Sequence, residues 1–360
     1  MKSLKQFCAL AALAALTLAA CGGGGYGGSG NMPVATTSPP AVVATTLKLT
    51  RLVADTSGTG ATQTDKNLVN GWGLAFNPTG FVWVANNGTS TSTLYDGNGA
   101  AQTLIVSTPD SPTGIVFNGS TTNFRGSPFI FSTESGTIAA WSPAVDRNNA
   151  VKIIDNSAAG AVYKGLALAG YNSASYIYAT DFHNHRVDIY DASFAKATLP
   201  GSFADPGLPA GYGPFGIQAI GDRIYVSYAK HAATGDDEVD GAGFGIVDVF
   251  DTGGTLIKQL VMAGALNAPW GMAMAPSNFG TLSGMLLVAN FGDGKINAYA
   301  PTSGAFAGSL MQADGSPVVI DGLWGIAFGN GVNSQPANTL FFTAGPSDEA
   351  HGLYGRLDMN

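Results

Sequence analysis

The 360-residue chain is 45% hydrophobic and only 11% charged, holds 50 glycines and carries a formal net charge of −8. The apolar content is ample for a packed core, while low charge and abundant glycine depart from an average cytosolic enzyme and suit a turn-rich, strand-rich protein working outside the cytoplasm. An acidic balance with no basic tract excludes a nucleic-acid backbone as the expected partner.

The chain opens "MKSLKQFCALAALAALTLAAC", in which Lys2 and Lys5 precede an apolar run ending at Ala20. This is the layout of a secretory signal peptide, and the run is short for a membrane span. Leu18-Ala19-Ala20-Cys21 resembles the lipobox of bacterial lipoproteins. The resemblance implies removal of residues 1–20, acylation of Cys21 (palmitate among the acyl groups) and a membrane partner reached through that lipid anchor. Residue 22 is Gly rather than Asp, so in a Gram-negative host the sorting pattern places the protein in the outer membrane of the cell envelope. Cys8 leaves with the signal, and Cys21 alone supports neither a disulfide framework nor a cysteine zinc site. Residues 21–45, rich in Gly and then Ser, Thr and Pro, read as a flexible tether.

From about Leu47 the chain repeats itself. "NGWGLAF", "SPTGIVF", "VYKGLAL", "YGPFGIQAI", "APWGMAM" and "GLWGIAF" each set a glycine before a large aliphatic residue. The glycines are Gly73, Gly114, Gly165, Gly216, Gly271 and Gly325, separated by 41, 51, 51, 55 and 54 residues. A period near fifty is that of a propeller or a similar array. Each copy continues into a second apolar run, such as "FVWVANN" or "YIYATDF", then a turn and a third run, such as "HRVDIYD" or "GKINAYA". Most copies offer a fourth, weaker strand, and four strands make a propeller blade. The sixth copy ends at "LYGRLDMN" without an outer strand, whereas "TLKLTRLVADT" precedes the first copy without a blade. The expectation is an all-β, six-bladed β-propeller over 46–360, its ring closed by the N-terminal strand completing the last blade.

"YATDFHNHRVDIYD" aligns with "LVANFGDGKINAYA", which puts His185 on Gly294 and, through "FIFSTESGTIAAW", on Gly136. The histidine pair therefore falls in a tight turn between second and third strands. The stretch resembles the NHL repeat through Asn184, Arg186, Val187, Tyr190 and Asp191. Together with "WGLAFNPTGFVWVANNGTSTSTLYDG", "YAKHAATGDDEVDGAGFGIVDVFD" and "LFFTAGPSDEAHGLYG", it is similar to an uncharacterised family of exported bacterial NHL-like six-bladed propellers. That resemblance implies an architecture and no particular chemistry.

In such a ring the second-to-third loops and the entries to each first strand share one face. That face is expected to carry Asn86, Asn87, Glu134, Asp181, His183, His185, Lys230, His231, Asn290, Asp293, Asp348, Glu349 and His351. Trp72, Trp270 and Trp324, each one residue before a repeat glycine, lie close to its rim and join the candidate ligand-binding face, although their recurrence at one repeat position favours a packing role. Walker, G-x-S-x-G and H-E-x-x-H motifs are absent from the sequence, and the glycines of "GGGGYGGSG", which follow Cys21 and not a strand, make no clear dinucleotide fingerprint. The favoured reading is a tethered, non-enzymatic module that binds or scaffolds a protein, peptide or glycan through this face. The alternative is a lactonase-like hydrolase with a divalent cation at the channel mouth, held by Asn86, Glu134, Asp181, Asn290 and Glu349. Calcium held by Asp236, Asp237, Glu238 and Asp240 is the other cation site that the sequence suggests.

Overall fold

A computed structural model describes residues 44–360, so Cys21, the apolar leader and most of the Gly-rich stretch lie outside the described residues. Six antiparallel sheets succeed one another along the chain. Their first strands are Gly71–Phe76, Pro112–Phe117, Tyr163–Tyr171, Tyr212–Ile220, Pro269–Met274 and Leu323–Phe328, which number blades 1 to 6. Blades 1, 2, 4 and 5 have four consecutive strands; blade 3 has three, with a bridge from Tyr190 to Lys196 at its outer edge. Blade 6 is completed by Thr46–Ala54, which runs antiparallel to Leu353–Met359. The expected closure is thus present, and it buries Leu47, Leu52, Val53 and Ala54 from the N-terminal strand. Each larger apolar side chain buried this way stabilises the closed ring by about 1.5–3 kcal/mol.

The repeat glycines acquire a physical cause. A Cβ on Gly73 would meet the Thr113 carbonyl oxygen at 2.6 Å, on Gly216 the Trp270 oxygen at 2.1 Å, on Gly271 the Trp324 oxygen at 2.5 Å, and on Gly325 the Trp72 oxygen at 2.6 Å. Neighbouring first strands converge so closely around the axis that only glycine fits, and the contact from blade 6 back to blade 1 seals the ring. Each first strand slips register at this point, as a β-bulge does. Freed bulge amides find hydroxyls on the second strand: Gly114 N donates to Ser132 Oγ at 3.0 Å, Gly216 N to Ser227 Oγ at 3.0 Å and Gly325 N to Thr343 Oγ1 at 3.1 Å.

The residues after the glycines, Leu74, Ile115, Leu166, Ile217, Met272 and Ile326, line an apolar channel, and aromatic and aliphatic side chains fill the spaces between blades. Among the described residues no helix is long and apolar enough to cross a membrane.

Candidate functional site

The residue before each repeat glycine lies at the axis: Trp72, Thr113, Lys164, Phe215, Trp270 and Trp324. Trp72 and Trp324 stack at 3.6 Å, Trp270 meets both edge-on near 6 Å, and Phe291 lies 4.1 Å from Trp324. Trp324 Nε1 donates to Asn70 Oδ1 at 3.0 Å, and Trp270 Nε1 crosses from blade 5 to the Lys164 carbonyl of blade 3 at 2.8 Å. Trp72 Nε1, also buried, has no partner. Offset and edge-on contacts of this kind add to plain area burial, and together they lay an aromatic floor across the channel.

Lys164, the one charged member of that ring, has a side chain only 3% exposed. Its Nζ lies 5.2 Å from the Trp72 ring and 2.6 Å from Glu134 Oε1. Glu134 also accepts from Asn87 Nδ2 at 2.8 Å. Asn70 Nδ2 donates to Asn87 Oδ1 at 3.3 Å and to the Glu349 carboxylate. Glu349 ends a run of three residues, Ser347, Asp348 and Glu349, all at positive φ (60°, 53° and 64°), a conformation that costs L-residues energy and persists only when surroundings enforce it. The blade 4 insertion contributes Glu238, whose short strand Glu238–Val239 pairs with Lys230 and His231.

These groups act on one another. Burial works against the Lys164 charge, yet Glu134 and Glu238 outweigh it and hold the ammonium above its ordinary range. Burial pushes the Glu238 carboxyl up to about 7 against the pull of Lys164. Burial likewise raises Glu349 against the Asn70 hydrogen bond, with Glu134 adding repulsion. One buried ammonium is therefore shared by carboxylates from blades 2, 4 and 6, and Asp237 adds further negative charge.

The structure does not bring the expected cation ring of Asn86, Glu134, Asp181, Asn290 and Glu349 into one hydrogen-bonded cluster. Only Glu134 and Glu349 reach the shared cluster. Asn86 donates to Thr91 and Thr93, Asp181 accepts from Asn184 and faces Arg186, and Asn290 donates to Asp293 and the Ala265 carbonyl. Side chains alternate along a strand, so the residues one register position on, Asn87, Glu134, Phe182, Ala229 and Phe291, belong to the axial or aromatic groups instead. The expected calcium loop is not gathered either: Asp236 faces His183 at 2.6 Å, Glu238 faces Lys164, and Asp237 and Asp240 are exposed. Among the described residues no group of three or more His, Cys, Asp or Glu side chains is placed to hold a metal ion.

His183, His185 and His231 gather where blades 3 and 4 meet. His231 stacks on Phe182 at 4.6 Å and lies 5.3 Å from His185. His185 has φ 53°, beside 74° and 66° at Gly136 and Gly294, so its turn role follows the repeat. His351 stands apart, bonded to Asp55 at 2.9 Å beside a cavity of about 280 Å³ that Arg51 and Asp321 also line. Lys230 sits 4.2 Å from the Phe244 ring, Asp293 pairs with Lys295, and Asp348 is exposed. Sequence reasoning missed Lys164 and Asn70. The signal for Lys164 was available, because it places a charge where four of the six copies place an aromatic residue.

No family model matches the chain. It is 32% identical over 362 residues to "Uncharacterized protein R648" of Acanthamoeba polyphaga mimivirus, covering 95% of this chain and 87% of that one. It is 31% identical over 317 residues to "Uncharacterized protein L690" of the same virus, covering 82% of each. Among solved structures, a Bacteroides thetaiotaomicron structural genomics protein of unknown function superposes with TM-score 0.55 at 10% identity over 88% of this chain and 76% of that chain. A glucose dehydrogenase superposes with TM-score 0.55 at 11% identity, over 87% of this chain and 100% of that one; likeness at such identity bears on fold alone. The two sequence relatives are viral and lend no support to a bacterial origin or a lipoprotein signal. The chain belongs to the family of these two mimivirus proteins, as a six-bladed β-propeller.

Proposed function

We propose that this propeller is a binding module whose loop-bearing face takes a basic side chain of a protein or peptide partner into the axial mouth, above the tryptophan floor. The observation that carries this reading is the buried Lys164–Glu134 ion pair, on which Glu238 and Glu349 also act electrostatically. Burial lifts two of these carboxyls, a cost that a second cation relieves, and the aromatic residues below suit a guanidinium or ammonium. The site is ready-made on turns and loops held by the strands of blades 2, 3, 4 and 6, as binding by a propeller face requires. A lipid tether at Cys21, holding this face off an envelope membrane, is part of the same proposal.

Calorimetric titration of the protein with an arginine- or lysine-bearing peptide and with its acidic counterpart tests the reading. Binding of the basic peptide alone, weakened roughly tenfold or more by Glu349→Gln, supports it. Equal binding of both peptides, or binding indifferent to Glu134→Gln and Glu349→Gln, overturns it. For the tether, Cys21→Ser is expected to release the protein from membranes; unchanged membrane association sinks that part.

A further inference from the structure

One register position in the third strand is occupied by Thr93, Ala139, Asp188, Asp248, Asn297 and Gly355 in blades 1 to 6. Where this residue is polar, its blade normally satisfies it. Thr93 accepts from Asn86 Nδ2 at 3.0 Å, and Asn297 donates to the Ala265 carbonyl at 2.9 Å while accepting from Ser309 at 2.7 Å. Asp188 has two cations, Arg186 Nε at 2.9 Å and Lys196 Nζ at 3.0 Å, and the Tyr163 hydroxyl at 2.8 Å.

Asp248 departs from that pattern. It is fully buried, and neither its carboxylate oxygens nor the buried Tyr228 hydroxyl meets hydrogen-bond geometry with a partner, although Tyr228 lies close enough to pull the Asp248 carboxyl down and Asp205 close enough to push it up. Asp205, from the connection between blades 3 and 4, acts on the same carboxyl, and no lysine or arginine does so among the described residues. Asp205 is half-buried and accepts from Gln259 Nε2 at 2.6 Å and Gly207 N at 2.7 Å. Gln259 is the register partner of Asp248 on the outer strand. Two carboxylates, the Tyr228 hydroxyl and the Gln259 side chain thus meet with no counter-charge, a costly arrangement if left bare.

We propose that this crevice is a cation site for a hard divalent ion such as Ca²⁺, with Asp248 and Asp205 as anionic ligands and the Tyr228 hydroxyl and Gln259 side-chain carbonyl as neutral ones. Oxygen donors of this kind, completed by water, suit such ions. The ion supplies from solution the positive charge that Arg186 and Lys196 supply covalently one blade earlier. Burial, and then the nearby Asp205, push the Asp248 carboxyl up to about 8, so the competing occupant is a proton.

The test uses the full chain, freed of metal with a chelator, in mildly alkaline buffer. Calcium is expected to raise the melting temperature progressively, by mass action. Terbium is expected to give tyrosine-sensitised emission that calcium displaces. Asp248→Asn is expected to abolish both responses while melting no lower than the metal-free parent; if it fails to fold, Asp205→Asn gives the same readout. Absence of any calcium-dependent shift in the parent overturns the proposal and leaves a shared proton. A shift retained by Asp248→Asn and lost in the Asp237→Asn, Asp240→Asn double variant also overturns it.

Discussion

Lys164 Nζ lies 2.6 Å from Glu134 Oε1, a bond that joins the first strand of blade 3 to the second-to-third turn of blade 2. The lysine is almost wholly buried, whereas the glutamate keeps 28% of its side chain exposed. Lys164→Met therefore strands carboxylates in a desolvated mouth, and a loss of about 3 kcal/mol is expected. Urea unfolding measures it. Adding Glu134→Gln to Lys164→Met is expected to recover part of that loss; a double variant less stable than Lys164→Met would contradict the charge argument.

The repeat glycines make a sharper stability prediction. Gly216→Ala drives a methyl to 2.1 Å from a backbone oxygen of the next blade, and about 3 kcal/mol is expected to be lost. Gly170→Ala, whose added methyl meets nothing nearer than 3.6 Å, is expected to stay within about 0.5 kcal/mol of the parent. Equal costs at the two positions would refute the claim that inter-blade approach selects the glycine.

At His185 the backbone is left-handed, with φ 53°, where a side chain is strained and glycine is not. His185→Gly is expected to leave stability unchanged or raise it by up to about 1 kcal/mol, even though the imidazole contact to the Tyr212 carbonyl at 3.1 Å is lost. A clear drop in the melting midpoint would assign the ring a structural part that the repeat does not call for.

Acidity acts through Glu238. Its folded carboxyl titrates at about 7 against an ordinary 4.5, so the folded state binds the extra proton between those values. Stability from this group is fully present below pH 4.5 and is lost as pH rises through about 7. Glu238→Gln is expected to flatten that part of the profile. Affinity for a cationic peptide is expected to climb over the same interval as the carboxylate forms. Parallel profiles for parent and variant would show that Glu238 does not carry the effect.

How much of this was legible beforehand depends on what the residue's repeat position could say. Six glycines at intervals of 41 to 55 residues implied six blades, and the unpartnered segment Thr46–Ala54 implied closure, because both follow from counting strands. The turn role of His185 also followed, since its sister positions are glycines. Asn86, Asp181 and Asn290 looked like site residues because they are polar and recur, yet recurrence at strand ends reflects turn chemistry that each blade needs for itself. The side chains that reach the axis sit one residue later, a parity that alternation sets and that a bulged strand obscures. Lys164 was hidden inside an apolar repeat segment. Glu238 met it only through an insertion whose path no spacing specifies.

The tryptophan floor also determines what kind of vessel the ring is. With Trp72, Trp270 and Trp324 packed across the axis and Trp270 of blade 5 bonded past blade 4 to blade 3, the channel is a cup rather than a pipe. Whatever enters from the acidic rim must leave by the same rim, so nothing is threaded from one face to the other. Beneath the floor, Leu74, Ile115, Leu166, Ile217 and Gln218 line the other end of the axis.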